Sequence, residues 1–205
     1  MAIAEPTTDV PGVTRPMTYE EYLASPEEMA RYDILDGWKV YRLYGEEHMS
    51  NPTILHQQVQ GNVYAAFRAF VQTLGTARAL MAPCDVLIEV MPRLRSRQPD
   101  ILVISQERLG EHSLSNPAPL SPAPELVVEI LSPSDKPAVL AAKLADYRTV
   151  DVREVWVVRT ETQSVDVVRL TVDAIETIGS YGAGETVASD VFNGLMVTVD
   201  DIFAL

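Results

Sequence analysis

Three side chains stand where their chemistry is at odds with their surroundings. Glu129 lies inside Leu126-Val127-Val128-Glu129-Ile130-Leu131, a run apolar on both faces and therefore a strand from the middle of a sheet. A carboxylate there must be paired, protonated or bound to a metal, so it is either half of a structural ion pair or a cation ligand. Asp100 follows Pro99 and opens the apolar run Ile101-Leu102-Val103-Ile104, a place where Asp is disfavoured. Taken singly it reads as a turn residue capping the strand entry. Two acids at apolar strands shift the balance, because hard divalent cations select oxygen ligands. Lys143 is the third. Leu140, Leu144 and Tyr147 form the apolar stripe of a helix, and Lys143 falls inside that stripe. It either snorkels to water or reaches back to the carboxylates.

Two further sets of residues carry weaker signals. Arg93, Arg95 and Arg97 are spaced by two, which suits either a solvated turn or contacts to phosphates. His56 opens a long helix and is either a satisfied helix-start histidine or a group that approaches substrate.

The elements that must position these residues follow from periodicity and punctuation. Thr18 with Glu21 has capping-box spacing, and Ser25-Pro26-Glu27-Glu28 supplies an N-cap, a first-turn proline and acids, so two short helices are expected. Asp36-Gly37 between two strand-like runs predicts a β-hairpin. Leu55, Val59, Val63, Phe67, Phe70, Val71 and Leu74 predict a helix over 54–74, stopped by Gly75. Strands over 77–81, 85–90 and 100–105, with 91–97 as a basic turn, read as a meander. Gly110 to Pro124 holds Pro117, Pro119, Pro122 and Pro124, which predicts an extended loop without regular hydrogen bonding. A strand over 125–131, a helix over 137–149, strands over 154–159 and 165–170, a final hairpin and a short turn at 200–203 complete the chain. The order is that of an α+β domain, a mixed sheet flanked by helices.

Bulk properties narrow the setting. With 205 residues, 47% hydrophobic, the chain can bury one core, and a single domain over 17–205 is expected. Residues 1–16 hold three prolines and neither a basic start nor an apolar stretch, so they read as a disordered tail. No apolar run is long enough to span a bilayer, which argues against a membrane role. A lone cysteine, Cys84, cannot form an intramolecular disulfide and fits a reducing cytoplasm. The formal net charge of −13 works against sequence-independent binding to nucleic acid, although a local basic patch can still hold a phosphate backbone.

An ordered series of motifs spans Thr18 to Phe203: Tyr32-Asp33-Ile34-Leu35-Asp36-Gly37, His56-Gln57, Gln98-Pro99-Asp100, Leu126 through Ser134, Lys143 with Tyr147, and Glu154-Val155-Trp156-Val157-Val158. This series resembles the PD-(D/E)XK nuclease superfamily, and within it the bacterial restriction-endonuclease-like proteins. The resemblance implies a restriction-endonuclease-like fold in which Asp100 and Glu129 ligate Mg²⁺ or Mn²⁺, with the Ile130 carbonyl as a further ligand. Leu131 stands where the superfamily has its lysine, and Lys143 looks like the replacement. Asp33 stands where the group usually has Glu, a shorter acidic ligand from the first hairpin. The implied activity is metal-dependent phosphodiester hydrolysis, with DNA as partner and a homodimer for cutting two strands. Lys143 would orient the attacking water or stabilise charge on the phosphorane. The alternatives are a catalytically weak module of the same fold for nucleic-acid or protein interaction, and a hydrolase acting on another substrate. Neutralising Asp100 or Glu129 is expected to leave the fold as stable as before, by relieving repulsion.

Overall fold

The computed structural model describes residues 15–26, 32–41, 53–110, 119–133 and 135–205. The chain enters through α1 (Tyr19–Leu23), which carries the expected capping box between Thr18 and Glu21. Ahead of it, Arg15 pairs with Glu21. Residues 1–14 lie outside the described residues, as do residues 27–31, where a second short helix was expected. The hairpin forms from β1 (Tyr32–Leu35) and β2 (Trp38–Tyr41), turning at Asp36 and Gly37 with φ of 52° and 83°. Both turn residues are in the left-handed region that such a two-residue turn requires. Gly37 is also crowded, since a Cβ there would sit 2.7 Å from the Pro16 Cβ.

The long helix α2 (Ile54–Leu74) keeps its expected bounds, capped by Thr53 and ended by Gly75 at φ 73°. It is followed by β3 (Ala77–Met81), β4 (Val86–Glu89), β5 (Arg95–Arg97), β6 (Ile101–Ser105), α3 (Gln106–Leu109) and β7 (Leu126–Leu131). The remainder is α4 (Pro137–Thr149), β8 (Glu154–Arg159), β9 (Ser164–Leu170), β10 (Ile175–Tyr181), β11 (Thr186–Ala188), β12 (Met196–Thr198) and α5 (Val199–Ile202).

Among the described residues these strands form three sheets rather than one. A six-stranded sheet has the order β10-β9-β8-β7-β6-β3, a four-stranded sheet has β2-β1-β5-β4, and β11 pairs with β12. The β7–β8 pair is parallel, with α4 as its crossover, and its neighbours are antiparallel, so the sheet is mixed. The expected meander is not what forms. β3 pairs with β6, while β4 and β5 turn out into the smaller sheet. The expected basic turn over 91–97 contains β5, a strand with no apolar alternation whose buried Arg97 meets the buried carboxylates of Asp33 and Asp146. The proline-rich stretch also differs from expectation. Residues 111–118 lie outside the described residues, but Leu120 is buried and bridges to Val86, donating to the Asp85 carbonyl at 2.8 Å. The prolines do not prevent this, since the hydrogen-bonding residue is the leucine between them.

The core lies on both faces of the large sheet. On one face Val59, Val63 and Phe67 of α2 pack on Ile101, Val103, Val128, Ile130 and Trp156, with Phe67 and Trp156 edge to face at 5.0 Å. On the other, Leu144 and Tyr147 of α4 pack with Leu102, Ile104 and Val127. Alternation along β7 therefore points Val128 and Ile130 toward α2, and Glu129 toward α4. Among the described residues no helix is long and apolar enough to cross a membrane.

Candidate active site

Register brings the two acids singled out by sequence together. β6 and β7 run antiparallel with Ile101 opposite Val128 and Leu102 opposite Val127, which leaves Asp100 just before the paired residues of β6 and Glu129 just after Val128, at the same end of the pair. The Asp100 amide donates to the Val128 carbonyl at 3.1 Å, one residue off that register, so the ladder shifts where Asp100 enters β6. Both carboxylates are shut from bulk water, at 0% and 1% exposure.

Each is held by groups from a different element. The Glu129 Oε2 accepts from Lys143 Nζ at 2.5 Å, and Oε1 accepts from the Tyr147 hydroxyl at 2.5 Å. Lys143 thus reaches the carboxylate rather than solvent, because its place in the α4 stripe aims it at β7. Burial, and then the Glu129 charge, hold the Tyr147 phenol well above its ordinary pKa, so it stays a neutral donor. Asp100 Oδ2 accepts from the Ile130 amide at 2.7 Å, which ties the Ile130 backbone to the site. Its Oδ1 lies 3.3 Å from His56 Nε2, without hydrogen-bond geometry. His56 is buried at the start of α2, and one turn later Gln60 donates to the Asp100 carbonyl at 3.0 Å.

The hairpin acid sits in an adjoining network. Asp33 Oδ2 lies 3.0 Å from Arg97 Nη1, and Oδ1 accepts from the Gln98 amide at 3.0 Å. Arg97 also grips Asp146 of α4, through Nε at 2.7 Å and Nη2 at 2.6 Å. Arg95 joins Asp146 and Asp36, each at 2.9 Å. Two of the three arginines considered as phosphate contacts are therefore committed to internal carboxylates, because β5 lies between the hairpin and α4. Arg93 is exposed.

Sequence reasoning singled out Asp100, Glu129 and Lys143 and paired Tyr147 with Lys143 in the motif series, but gave Tyr147 no role beyond the apolar stripe and passed over Gln60, Asp146 and the inward role of Arg97. A hydroxyl on the same helical face as Lys143, four residues on, was the available signal for Tyr147. Among the described residues no three His, Cys, Asp or Glu side chains cluster as a metal-holding group. The oxygen donors present are Asp100 and Glu129.

The model of one protein family, described as "putative restriction endonuclease" and named Uma2, matches residues 19–200. The chain belongs to the Uma2 family. That match runs across every element of this site, from the hairpin acid to Lys143 and Tyr147. Among solved structures, the crystal structure of a putative nuclease from Anabaena variabilis aligns with a TM-score of 0.71 at 21% identity. The alignment covers 92% of this chain and 98% of that one, so this Uma2 chain shares its fold over nearly the whole length. No curated protein matches the chain. The fold is the restriction-endonuclease-like one expected from the motif series.

Proposed function

We propose that this Uma2 protein is a metal-dependent endonuclease that hydrolyses phosphodiester bonds, with DNA as substrate. The observation that carries the reading is the placing of Asp100 and Glu129 at one end of the β6–β7 pair, with Asp100 on the Ile130 amide and Lys143 on Glu129. Family membership supports it independently. Two carboxylates are enough for Mg²⁺ or Mn²⁺, since Mg²⁺ keeps several waters and takes one or two protein carboxylates alongside substrate phosphate. The donor set fits such an ion, with Asp100 and Glu129 as ligands and the Ile130 carbonyl as a third oxygen. A bound divalent ion supplies a water of lowered pKa and offsets charge on the phosphoryl oxygens.

The chain's own residues do the rest. Ile130 fixes the Asp100 carboxylate through its amide, and Tyr147 fixes the rotation of Glu129 through its hydroxyl. Lys143 is the buried cation that can donate to the attacking water or to a phosphoryl oxygen as negative charge develops there. Asp33 enters as a residue that positions Arg97 and Gln98, with one oxygen on each of them. His56, buried at the start of α2, lies beside the Asp100 carboxylate, its Nε2 3.3 Å from Asp100 Oδ1. Arg93 is the one of the three arginines left to meet a phosphate from the surface.

A specific observation favours a second reading, a catalytically weak module of this fold. Both Glu129 oxygens are already satisfied by protein donors, and the formal net charge is −13. Cleavage of DNA and RNA panels with Mg²⁺ and Mn²⁺, run beside calorimetric Mn²⁺ titration, separates the two. The nuclease reading expects divalent-dependent cleavage, and Lys143→Met is expected to lower turnover by roughly 10²-fold or more while Mn²⁺ still binds. Metal binding without cleavage of any substrate selects the module.

A further inference from the structure

Few apolar side chains set the rotation of α4 about its own axis. Its buried residues are Lys143, Leu144, Asp146 and Tyr147, of which only Leu144 is aliphatic. Its N-cap, Lys136, makes no side-chain cap hydrogen bond. Lys143, Asp146 and Tyr147 share one face by their three- and four-residue spacing. Two of these three hold Glu129, and the third is held by the small sheet. Asp146 Oδ2 receives both Nε and Nη2 of Arg97, a side-on grip that fixes direction as well as distance. The same guanidinium reaches Asp33 of β1 through Nη1, and Asp33 in turn takes the Gln98 amide, two residues before Asp100. Arg97 is 4% exposed, so this contact is not shared with solvent.

We propose that Arg97, acting through Asp146, is a positioning residue that sets the rotation of α4 so that Lys143 and Tyr147 both meet Glu129. Its catalytic consequence rests on the nuclease reading above; its structural consequence does not. The charges of Arg97 and Asp33 also act on the Tyr147 phenol, which places the network within electrostatic reach of the Glu129 contact. An arginine suits this task and a lysine does not, since a planar fork grips two carboxylates in fixed directions and a point charge holds only their distance.

The test compares wild type with Arg97→Met, Arg97→Lys and Asp146→Asn, and with Arg169→Met as a control that removes a surface pair to Asp190. The first readout needs neither metal nor substrate: the ¹³Cζ resonance of Tyr147 in tyrosine-labelled full-length protein, assigned with Tyr147→Phe. Arg97→Met and Asp146→Asn are expected to move this resonance away from its value when bonded to Glu129, Arg97→Lys to move it partway, and Arg169→Met to leave it in place. The second readout is cleavage, where Arg97→Met is expected to lower kcat by about 10²-fold, as small misplacements do, with KM changed little, and Arg97→Lys to recover part of the loss. Should Arg97→Met fail to fold, the Lys and Asn variants carry the same test. An unmoved Tyr147 resonance in folded Arg97 and Asp146 variants overturns the proposal, whatever the cleavage result. A moved resonance in a protein that cleaves nothing keeps the positioning role and removes the nuclease reading instead.

Discussion

The ammonium of Lys143 and the carboxylate of Glu129 are both almost wholly removed from water, so each is the main compensation for the other's desolvation. This changes what neutralisation should do. The sequence suggested crowded acids whose repulsion would be relieved, whereas the structure shows an acid with a buried cation on it. Glu129→Gln is therefore expected to cost about 3–5 kcal/mol, because it strands an ammonium in the core. Adding Lys143→Met to that variant is expected to restore most of the loss, since a neutral Gln and an apolar stem of similar volume leave no buried charge. Asp100→Asn should stay close to wild type, as its remaining carbonyl oxygen can still accept from Ile130. Urea unfolding of the single and double variants measures this cycle, and a Glu129→Gln protein as stable as wild type would show that Lys143 does not depend on Glu129. Asp100, Glu129 and Lys143 were legible in the sequence because each is a charge set against apolar neighbours. Arg97 and Asp146 were not. Their partners lie on other elements, and no local pattern says which carboxylate a given arginine will meet.

At the scale of elements, α1 reaches the segment just before β4 through a polar contact between the Tyr22 hydroxyl and the Asp85 carboxylate. Burial raises the Asp85 carboxyl above its ordinary value, against hydrogen bonds from Tyr22 and Gln98 that favour ionisation. A raised acid means that the folded state binds the proton more tightly than the unfolded chain does. The associated stability is fully present below the unfolded value near 3.8 and is lost as pH rises through the folded one. Above that range the Asp85 carboxyl is thus a burden to the folded state, and Asp85→Asn keeps an acceptor for Tyr22 without an acid to ionise. The variant is expected to melt a few degrees above wild type at pH 7, with the gap closing as pH falls toward 4. Paired melting curves across that range decide it, and a variant less stable than wild type at pH 7 would refute the argument. The helices α2 and α4 and the strand β8 were legible to the residue, because Gly75 and helical periodicity bound α2, Pro137 opens α4 and a continuous apolar run marks β8. β5 was not, since three residues reading Arg-Ser-Arg have no apolar face. The meander failed for a related reason: chain adjacency suggested that β3 and β4 pair, whereas β3 completes the large sheet beside β6.

Across the whole molecule, acids outnumber bases, 29 to 16, and many of the bases are spoken for. Arg97 and Arg95 serve Asp33, Asp36 and Asp146, Arg108 serves Glu125 and Asp151, and Arg159 and Arg169 serve Asp166 and Asp190. Each cation already paired in this way must give up a carboxylate to bind a phosphate, so its net gain on DNA is small. The affinity of the chain for duplex DNA should then depend weakly on salt, since that dependence counts the phosphates neutralised by Lys and Arg. With roughly 2–4 such contacts, the slope of log K against log salt is about −2 to −4, and affinity falls roughly 10- to 10²-fold between 50 and 200 mM. Divalent ions should matter more than for a basic DNA-binding protein, because a cation on Asp100 and Glu129 replaces repulsion at the centre of the site with attraction. Fluorescence anisotropy on a labelled duplex, with salt varied in EDTA and then in a Ca²⁺ buffer that holds the ionic strength fixed, measures both effects. The expected outcome is a shallow slope in each buffer and tighter binding with the divalent ion. A slope steeper than about −6 in EDTA would instead reveal a basic surface that grips the backbone without the carboxylate site, and the net charge would then be no guide to how this chain meets nucleic acid.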